Sequence, residues 1–263
     1  MEEAFASRYE ELGAWHWWFR GRERILAAVL QRELARSAGP AGRHRVVTVG
    51  SGPPESLASL ARRLGDAAEW IGVDADPSGA LRGIRAKRPD PLPPRVGFVW
   101  GRIERTPLRA ASCDAALALD VIEHVDDDAG AIAEAARLVR PGGFVLVTVP
   151  AFPSLWGNQD VVSHHKRRYT ARTLADAFAR ARVPLTWTSY FNTALFPAVA
   201  AVRWSRRLAG AGAEAASDFE GASPGALNEL LERVFAAERH LVGRIRLPVG
   251  VSLIGVARRR AEP

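Results

Sequence analysis

Short apolar runs recur through the first 150 residues, each followed by a turn and a helical stretch. This alternation constrains the fold more than any other feature of the chain. The runs are RVVTV (45–49), EWIGVDA (69–75), VGFVW (96–100), CDAALALDV (113–121) and FVLVTVP (144–150). They are nearly continuous in apolar residues, so both faces of each strand must be covered. Between them lie helical patterns from about Pro54 to Leu64, at 80–89, and at 128–139 before the RPGG stop. Repeats of this kind build a parallel sheet with helices on both faces. Ligands then bind in the crevice at the carboxyl ends of the strands, where the short loops gather.

The flanks elaborate this core. Residues 2–36 read as helical around the aromatic cluster WHWWF (15–19), and SAGPAG (37–42) breaks the helix. After Pro150 comes an irregular polar and aromatic segment, AFPSLWGNQDVVSHHKRRYT. A helix (171–181), a sixth strand LTWTSYFN (185–192) and an apolar helix (194–208) follow. AGAGAEAASDFEGASPG reads as a linker-like loop, 225–243 as a helix and GVSLIGVARR (250–259) as the last strand. The expected fold is α/β: a Rossmann-like, seven-stranded, mostly parallel sheet with helices on both faces. To it are added an N-terminal helix and a helical cap. We expect one domain over 1–263, with a helical lid (1–40), a ligand-binding core (44–150) and substrate-side elements (151–263). The cap falls at about 194–245.

Composition narrows the class. With 263 residues, nearly half of them apolar, a full core can be buried. No run of eighteen apolar residues occurs, so no membrane span is expected. The acidic start MEEAFASRYEEL does not read as a signal peptide. Cys113 is the single cysteine, so no internal disulfide forms and the expected location is cytoplasmic. The net charge of +7 is carried almost wholly by arginine, and no contiguous basic run exceeds RRR. Compositional bias explains this as well as an anionic partner does. No nucleic acid is expected, and a monomer or homodimer fits equally.

The loop VVTVGSGPPES (46–56) carries the first chemical signal. Glycines after a buried strand permit a sharp turn and let a ligand approach the backbone. A dinucleotide would need G-x-G-x-x-G, but the third position is Glu55, whose carboxylate repels a pyrophosphate. A cofactor without phosphate remains. The ordered set VVTVGSGPPES, WIGVDADPSGAL, GRIERTPLRAASCDAALALDVIEHVDD and AARLVRPGGFVLVTVP resembles the class I S-adenosylmethionine-dependent methyltransferases. WHWWFRGRERIL, LWGNQDVVSHHKRRYT and SYFNTALFP resemble a subgroup of them with an N-terminal His-Trp-Trp-Phe stretch.

The resemblance implies S-adenosylmethionine as cofactor. Its expected contacts are Trp18, Arg22, Gly50, Ser51, Gly52, Asp74, Ala75, Arg102, Ile103 and Asp120. Asp74 would take the ribose hydroxyls, because an ionised carboxylate accepts two O–H donors. Arg22 would pair with the methionine carboxylate, and the tryptophans would face the sulfonium by cation–π attraction. Trp17, Trp156, Arg168, Tyr190 and Asn192 are the expected substrate contacts; Asn192 could instead cap the following helix. His124, His165, Asp160 and Tyr169 are the catalytic candidates. Against a role as base, Glu123 and His124 could simply cap and orient the next helix. No metal is expected, since His164 and His165 are adjacent and no Cys-x-x-Cys accompanies them.

The implied reaction is methyl transfer to a small molecule: a secondary metabolite, a sugar or a lipid-linked acceptor. Thr48 stands where the family has an acid, Pro54 where it has a third glycine, and Arg102 where an acid meets the adenine amine. These departures keep two alternatives open. One is an enzyme using the same cofactor for other chemistry, such as intramolecular cyclisation. The other is a degenerate binding protein.

Overall fold

The computed structural model describes residues 11–37, 43–52, 54–76, 92–208 and 223–260. The helix expected at 80–89, most of the 209–225 loop and the first ten residues lie outside these described residues.

Seven strands form one sheet. In chain order they are β1 (His44–Val49), β2 (Ala68–Asp74), β3 (Val96–Trp100), β4 (Cys113–Leu119), β5 (Val139–Pro150), β6 (Trp187–Phe191) and β7 (Ser252–Arg258). Across the sheet the order is β3-β2-β1-β4-β5-β7-β6. Neighbours from β3 through β5 run parallel, and β7 runs antiparallel to both β5 and β6. Strand order reverses outward from β1 and β4, which is where an α/β sheet opens its ligand crevice.

Helices cover both faces, as the continuous apolar strands require. One face carries α1 (Trp17–Ala35), α2 (Pro54–Leu64) and α7 (Ala226–Ala237); the other carries α3 (Asp128–Leu138) and α5 (Ala171–Arg180). Side chains alternate between the two cores with the strand period of two. Val46, Leu117, Phe144 and Leu146 pack with Ile25, Leu30, Leu57 and Phe235. Val47, Val49, Ala116 and Val145 pack with Ile132, Leu174 and Phe178. Two further helices, α4 (Asn158–Val162) and α6 (Phe196–Leu208), lie outside these layers.

Several boundaries differ from the sequence expectation. His16 interrupts the long N-terminal helix and caps α1, its ring accepting a hydrogen bond from the Trp18 N–H. RPGG does not stop the chain before β5 but lies inside the strand. Gly143 makes this possible, since a Cβ there would fall 2.4 Å from the Asp114 carbonyl oxygen. The helical reading of 194–245 divides, with α7 packing on α1 and α6 standing over the 153–155 turn, where Trp204 Nε1 donates to the Ser154 carbonyl at 3.2 Å. Among the described residues, no helix is long and apolar enough to cross a membrane.

Candidate active site

The carboxyl end of β1 turns through Gly50 (φ +68°) and Gly52 (φ +60°), both left-handed. Gly50 is further fixed by space, because a Cβ there would meet Val121 at 2.5 Å. A Cβ on Gly52 would meet nothing within 4 Å among the described residues, so the backbone there is open toward them. The turn is tied to β2: the Gly50 and Ser51 amides both donate to the Val73 carbonyl, at 2.8 and 3.0 Å. Asp74 ends β2 and accepts from the Gly52 N–H at 2.8 Å and the Asp76 N–H at 3.0 Å, one on each oxygen. A carboxylate has about four lone-pair sites, so two stay available for a ligand. Helix α2 begins at Pro54, where a fixed φ suits the first turn, and this explains Pro54 in place of a third glycine.

The next layer joins β4, β5 and α1. Asp120 follows β4 with φ +56°, and its amide donates to the Thr148 carbonyl. Arg22 reaches over from α1 to Asp120 at 2.6 Å and donates to Thr148 Oγ1 at 3.1 Å. The Trp18 ring lies 5.4 Å from the Arg22 guanidinium carbon. Trp18 therefore supports Arg22 by cation–π attraction. Among the described residues, three buried polar atoms have no hydrogen-bond partner in this half of the sheet: Arg22 Nε, Thr48 Oγ1 and Ser51 Oγ. Such orphans are costly unless something satisfies them.

A third cluster lies past β4. Glu123 is fully buried, and among the described residues neither of its carboxylate oxygens has a hydrogen-bond partner. Burial, reinforced by the Asp120 charge, pushes its carboxyl well above the usual range. One ligand atom from each of Glu123, His124 and His165 lies within 4.8 Å of the others. His165 Nδ1 is 2.8 Å from Asp160 Oδ1, which directs its Nε2 toward Glu123 Oε1 at 4.0 Å. Burial would raise the Asp160 carboxyl, but hydrogen bonding from His165, the Arg168 charge and the Gly157 N–H outweigh it and hold it at about 2. Burial, with His165 beside it, lowers His124 to about 4, so that ring is neutral.

The remaining expected residues divide. Ala75 is exposed beside Asp74, and Ile103 packs into the core next to Val73. Arg102 points outward and pairs with Glu104. Trp17 packs edge-on against Phe235 between α1 and α7. Tyr169 is not brought to the imidazole cluster; its hydroxyl is buried and donates to Asp128 Oδ2 at 3.0 Å. Burial and that carboxylate raise the phenol above its ordinary value. Arg168 is also interior, its guanidinium engaged by Asp160 and the Ala151 carbonyl. Tyr190 stacks on Phe152 with ring centroids 4.8 Å apart, and Trp156 is exposed. Asn192 does not cap α6 and its buried Oδ1 lacks a partner; Glu238 takes the amides of Asn192, Thr193 and Ala194.

Two features were missed from the sequence. Glu238 sits at the end of α7 with no motif around it. Trp100, exposed at the end of β3, donates from Nε1 to the Ala75 carbonyl at 3.1 Å, beside the Asp74 turn.

The family described as "Methyltransferase domain" matches residues 47–147, the segment that contains the Gly50–Gly52 turn, Asp74 and Asp120. Residues 47–147 thus match a methyltransferase domain, and S-adenosylmethionine-dependent methyltransferases are among the relatives the chain resembles. A probable S-adenosylmethionine-dependent methyltransferase from Mycolicibacterium smegmatis is 34% identical over 138 residues, covering 51% of this chain and 46% of that protein. A ubiquinone/menaquinone biosynthesis C-methyltransferase from Syntrophotalea carbinolica is 32% identical over 164 residues, covering 60% of this chain and 65% of that one. The chain thus spans less than two thirds of either relative.

Solved structures agree on the methyltransferase fold. A 4+2 cyclase superposes with a TM-score of 0.57 at 19% identity, covering 92% of this chain and 81% of that one. Geranyl diphosphate C-methyltransferase from Streptomyces coelicolor, solved with Mg2+, geranyl diphosphate and S-adenosylhomocysteine, superposes at 0.53 and 16% identity. That match covers 87% of this chain and 77% of the other.

Proposed function

We propose that this protein transfers the methyl group of S-adenosylmethionine to a small-molecule acceptor at the carboxyl edge of the sheet. One observation carries the reading. The left-handed Gly50–Gly52 turn is tied to Asp74, and Arg22 Nε, Thr48 Oγ1 and Ser51 Oγ are buried with no partner among the described residues. These residues fit an amino-acid nucleoside: a carboxylate for two sugar hydroxyls, an open backbone, and a cation with hydroxyls for a charged amino-acid end.

When bound, the cofactor supplies a methyl carbon activated by positive sulfur. The chain's own part is to align, to exclude water and to remove one proton. Asp74 holds the sugar with its two remaining lone-pair sites. Arg22, braced by Asp120 and Trp18, takes the amino-acid carboxylate through its free Nε–H edge. The acceptor side is formed by His124, His165 and Glu123, and by the stacked Phe152 and Tyr190. Flat apolar stacking beside a polar cluster suits an acceptor with an apolar body and one hydroxyl or amine. The names of the ubiquinone/menaquinone and geranyl diphosphate relatives support small molecules as the acceptor class. A cytoplasmic location, no nucleic-acid partner and a monomer or homodimer belong to the same reading.

Calorimetry with S-adenosylmethionine and S-adenosylhomocysteine tests it. The wild type binds both, and Asp74→Ala weakens binding by roughly 10–100-fold, the worth of one or two charge-assisted hydrogen bonds. An absence of heat with either ligand overturns the reading. Mass analysis of products then separates methylation, which adds one CH2 to the acceptor, from cyclisation by the cofactor's own amine, which splits the cofactor into a ring and a thioether nucleoside and leaves the acceptor unmethylated.

A further inference from the structure

We propose that Glu123, His124 and His165 bind a divalent transition-metal ion at the acceptor side of the crevice. The inference rests on the reading above only for what the ion does, since the site itself is argued from geometry alone.

Glu123 has no exposed surface, yet among the described residues neither of its carboxylate oxygens has a hydrogen-bond partner. A buried acid left this way is expensive unless a proton or a cation completes it. Two imidazole rings, those of His124 and His165, lie beside it. His165 is fixed by Asp160, which engages Nδ1 at 2.8 Å and leaves Nε2 facing Glu123. A carboxylate behind the far nitrogen of a ligating histidine is the usual outer-shell arrangement at a metal, because it sets the tautomer and the ring direction. Asp160 is itself held by the Gly157 amide at 2.8 Å and the Arg168 guanidinium at 2.7 Å, so this support is rigid. His124 meets His165 nearly at right angles, at 79° with centroids 4.8 Å apart, and supplies the third donor.

The cluster is assembled by backbone as well as by side chains. The Lys166 amide donates to the Glu123 carbonyl at 2.8 Å, and Arg167 donates to the Val125 carbonyl at 3.0 Å. These bonds fix the His165 loop to the turn that carries Glu123 and His124. Donors around one ion lie about 3–3.5 Å apart when each bond is about 2.1 Å. The observed separations, within 4.8 Å, close to that by small side-chain rotations. His124 and His165 both keep partial exposure, 12% for the His165 side chain, which leaves an entry path on that side.

Two imidazoles and one carboxylate favour zinc, iron, nickel or cobalt over magnesium, which prefers an all-oxygen shell. In the reaction proposed above, the open position takes the acceptor's hydroxyl oxygen and lowers its pKa. Its proton leaves to water. The oxygen lone pair then forms the new bond to the methyl carbon, and the carbon–sulfur bonding pair stays on sulfur. The acceptor class is thereby narrowed to hydroxylated compounds.

Co2+ titration of the metal-stripped full-length protein, followed by visible absorption, tests the site without cofactor or acceptor. One equivalent of Co2+ gives ligand-field bands, and one equivalent of Zn2+ displaces them. Glu123→Gln and His165→Asn, each checked for native circular dichroism, weaken binding by at least tenfold. Asp160→Asn keeps the three ligands but shifts the spectrum and weakens binding, which a merely structural residue would not do. No bands in the wild type, or bands unchanged in Glu123→Gln and His165→Asn, overturn the proposal. Cofactor calorimetry on the same samples separates the two readings: metal without cofactor binding sinks the proposed function alone, and the reverse sinks the metal site alone.

Discussion

Asp120, Phe152 and Asn192 share an unusual backbone. Each lies just past a strand, β4, β5 or β6, and each is a non-glycine residue at positive φ, of +56°, +54° and +59°. Residues held this way cost about 1–3 kcal/mol each and persist only where surroundings over-determine them. Here the surroundings are visible: Thr148 and Arg22 hold Asp120, Tyr190 stacks on Phe152, and Glu238 fixes the Asn192 amide. Half of the positive-φ non-glycine residues described therefore fall on the rim where an acceptor would sit. Cys113 is the opposite case, a residue that chemistry cannot reach. Its thiol is buried at the start of β4, donates to the Leu138 carbonyl, and is pushed up to about 12 by burial. At pH 8 only about one thiol in ten thousand would be ionised, and thiolate is the reactive form. Iodoacetamide should label Cys113 at pH 8 only after denaturation; native labelling at the rate of a free thiol would contradict the burial.

Helix α1 joins the fold to the site, since it carries Arg22 on one turn and packs on α7 along its length. Its start depends on His16, whose Nδ1 must stay unprotonated to accept from the Trp18 amide. Burial lowers His16 from 6.5 to about 4. A base with a depressed folded pKa gives stability that is full above the unfolded value and lost as pH falls toward the folded one. The unfolded chain takes up the proton first. Denaturation at a series of pH values should show a loss of about 3 kcal/mol between roughly pH 6.5 and 4, at 1.36 kcal/mol per unit. His16→Asn keeps a capping acceptor and removes the titration, so its profile should be flatter by that amount; parallel profiles would refute the assignment. Gly21 sets the closeness of the same helix to α7. A Cβ there would lie 2.5 Å from Cδ1 of Phe235, which has no exposed surface. Gly21→Ala gains about 1 kcal/mol in helix propensity but overpacks by about 1–3 kcal/mol. A lower melting temperature is expected, by about 2–4 °C for each net kcal/mol. An increase would mean that Phe235 moves freely.

At the scale of the molecule, the sheet was legible because short, nearly continuous apolar runs such as RVVTV and CDAALAL, each followed by a turn and a helix, favour a covered parallel sheet, and the strands fall on those runs. RPGG misled because proline and glycine signal turns locally, whereas Gly143 is needed for the close approach of β4 to β5. Gly50, Gly52 and Asp74 could be read from a local motif. The Glu123 cluster could not, because its pairing with His165 is set by the Lys166–Glu123 backbone bond, which joins segments far apart in sequence. Nor could the sequence separate Tyr169 from the histidines beside it, since only the packing under α3 turns its hydroxyl to Asp128. The proposed cofactor site unites elements from one side of the sheet, α1 through Arg22 and the β1–α2 turn through Gly52, while α5 packs on the other face. A ligand bound there stabilises only openings that break its contacts. At a hundred times its dissociation constant, the gain is about 2.7 kcal/mol, or roughly a hundredfold in opening equilibrium. Hydrogen exchange with and without S-adenosylhomocysteine should therefore slow by up to that factor in 50–52 and in α1 around Arg22. Amides of Ala171–Arg180 that exchange by local opening should keep their rates. Equal protection on both faces would mean that the ligand acts only through global unfolding, and no protection in α1 would remove Arg22 from the site.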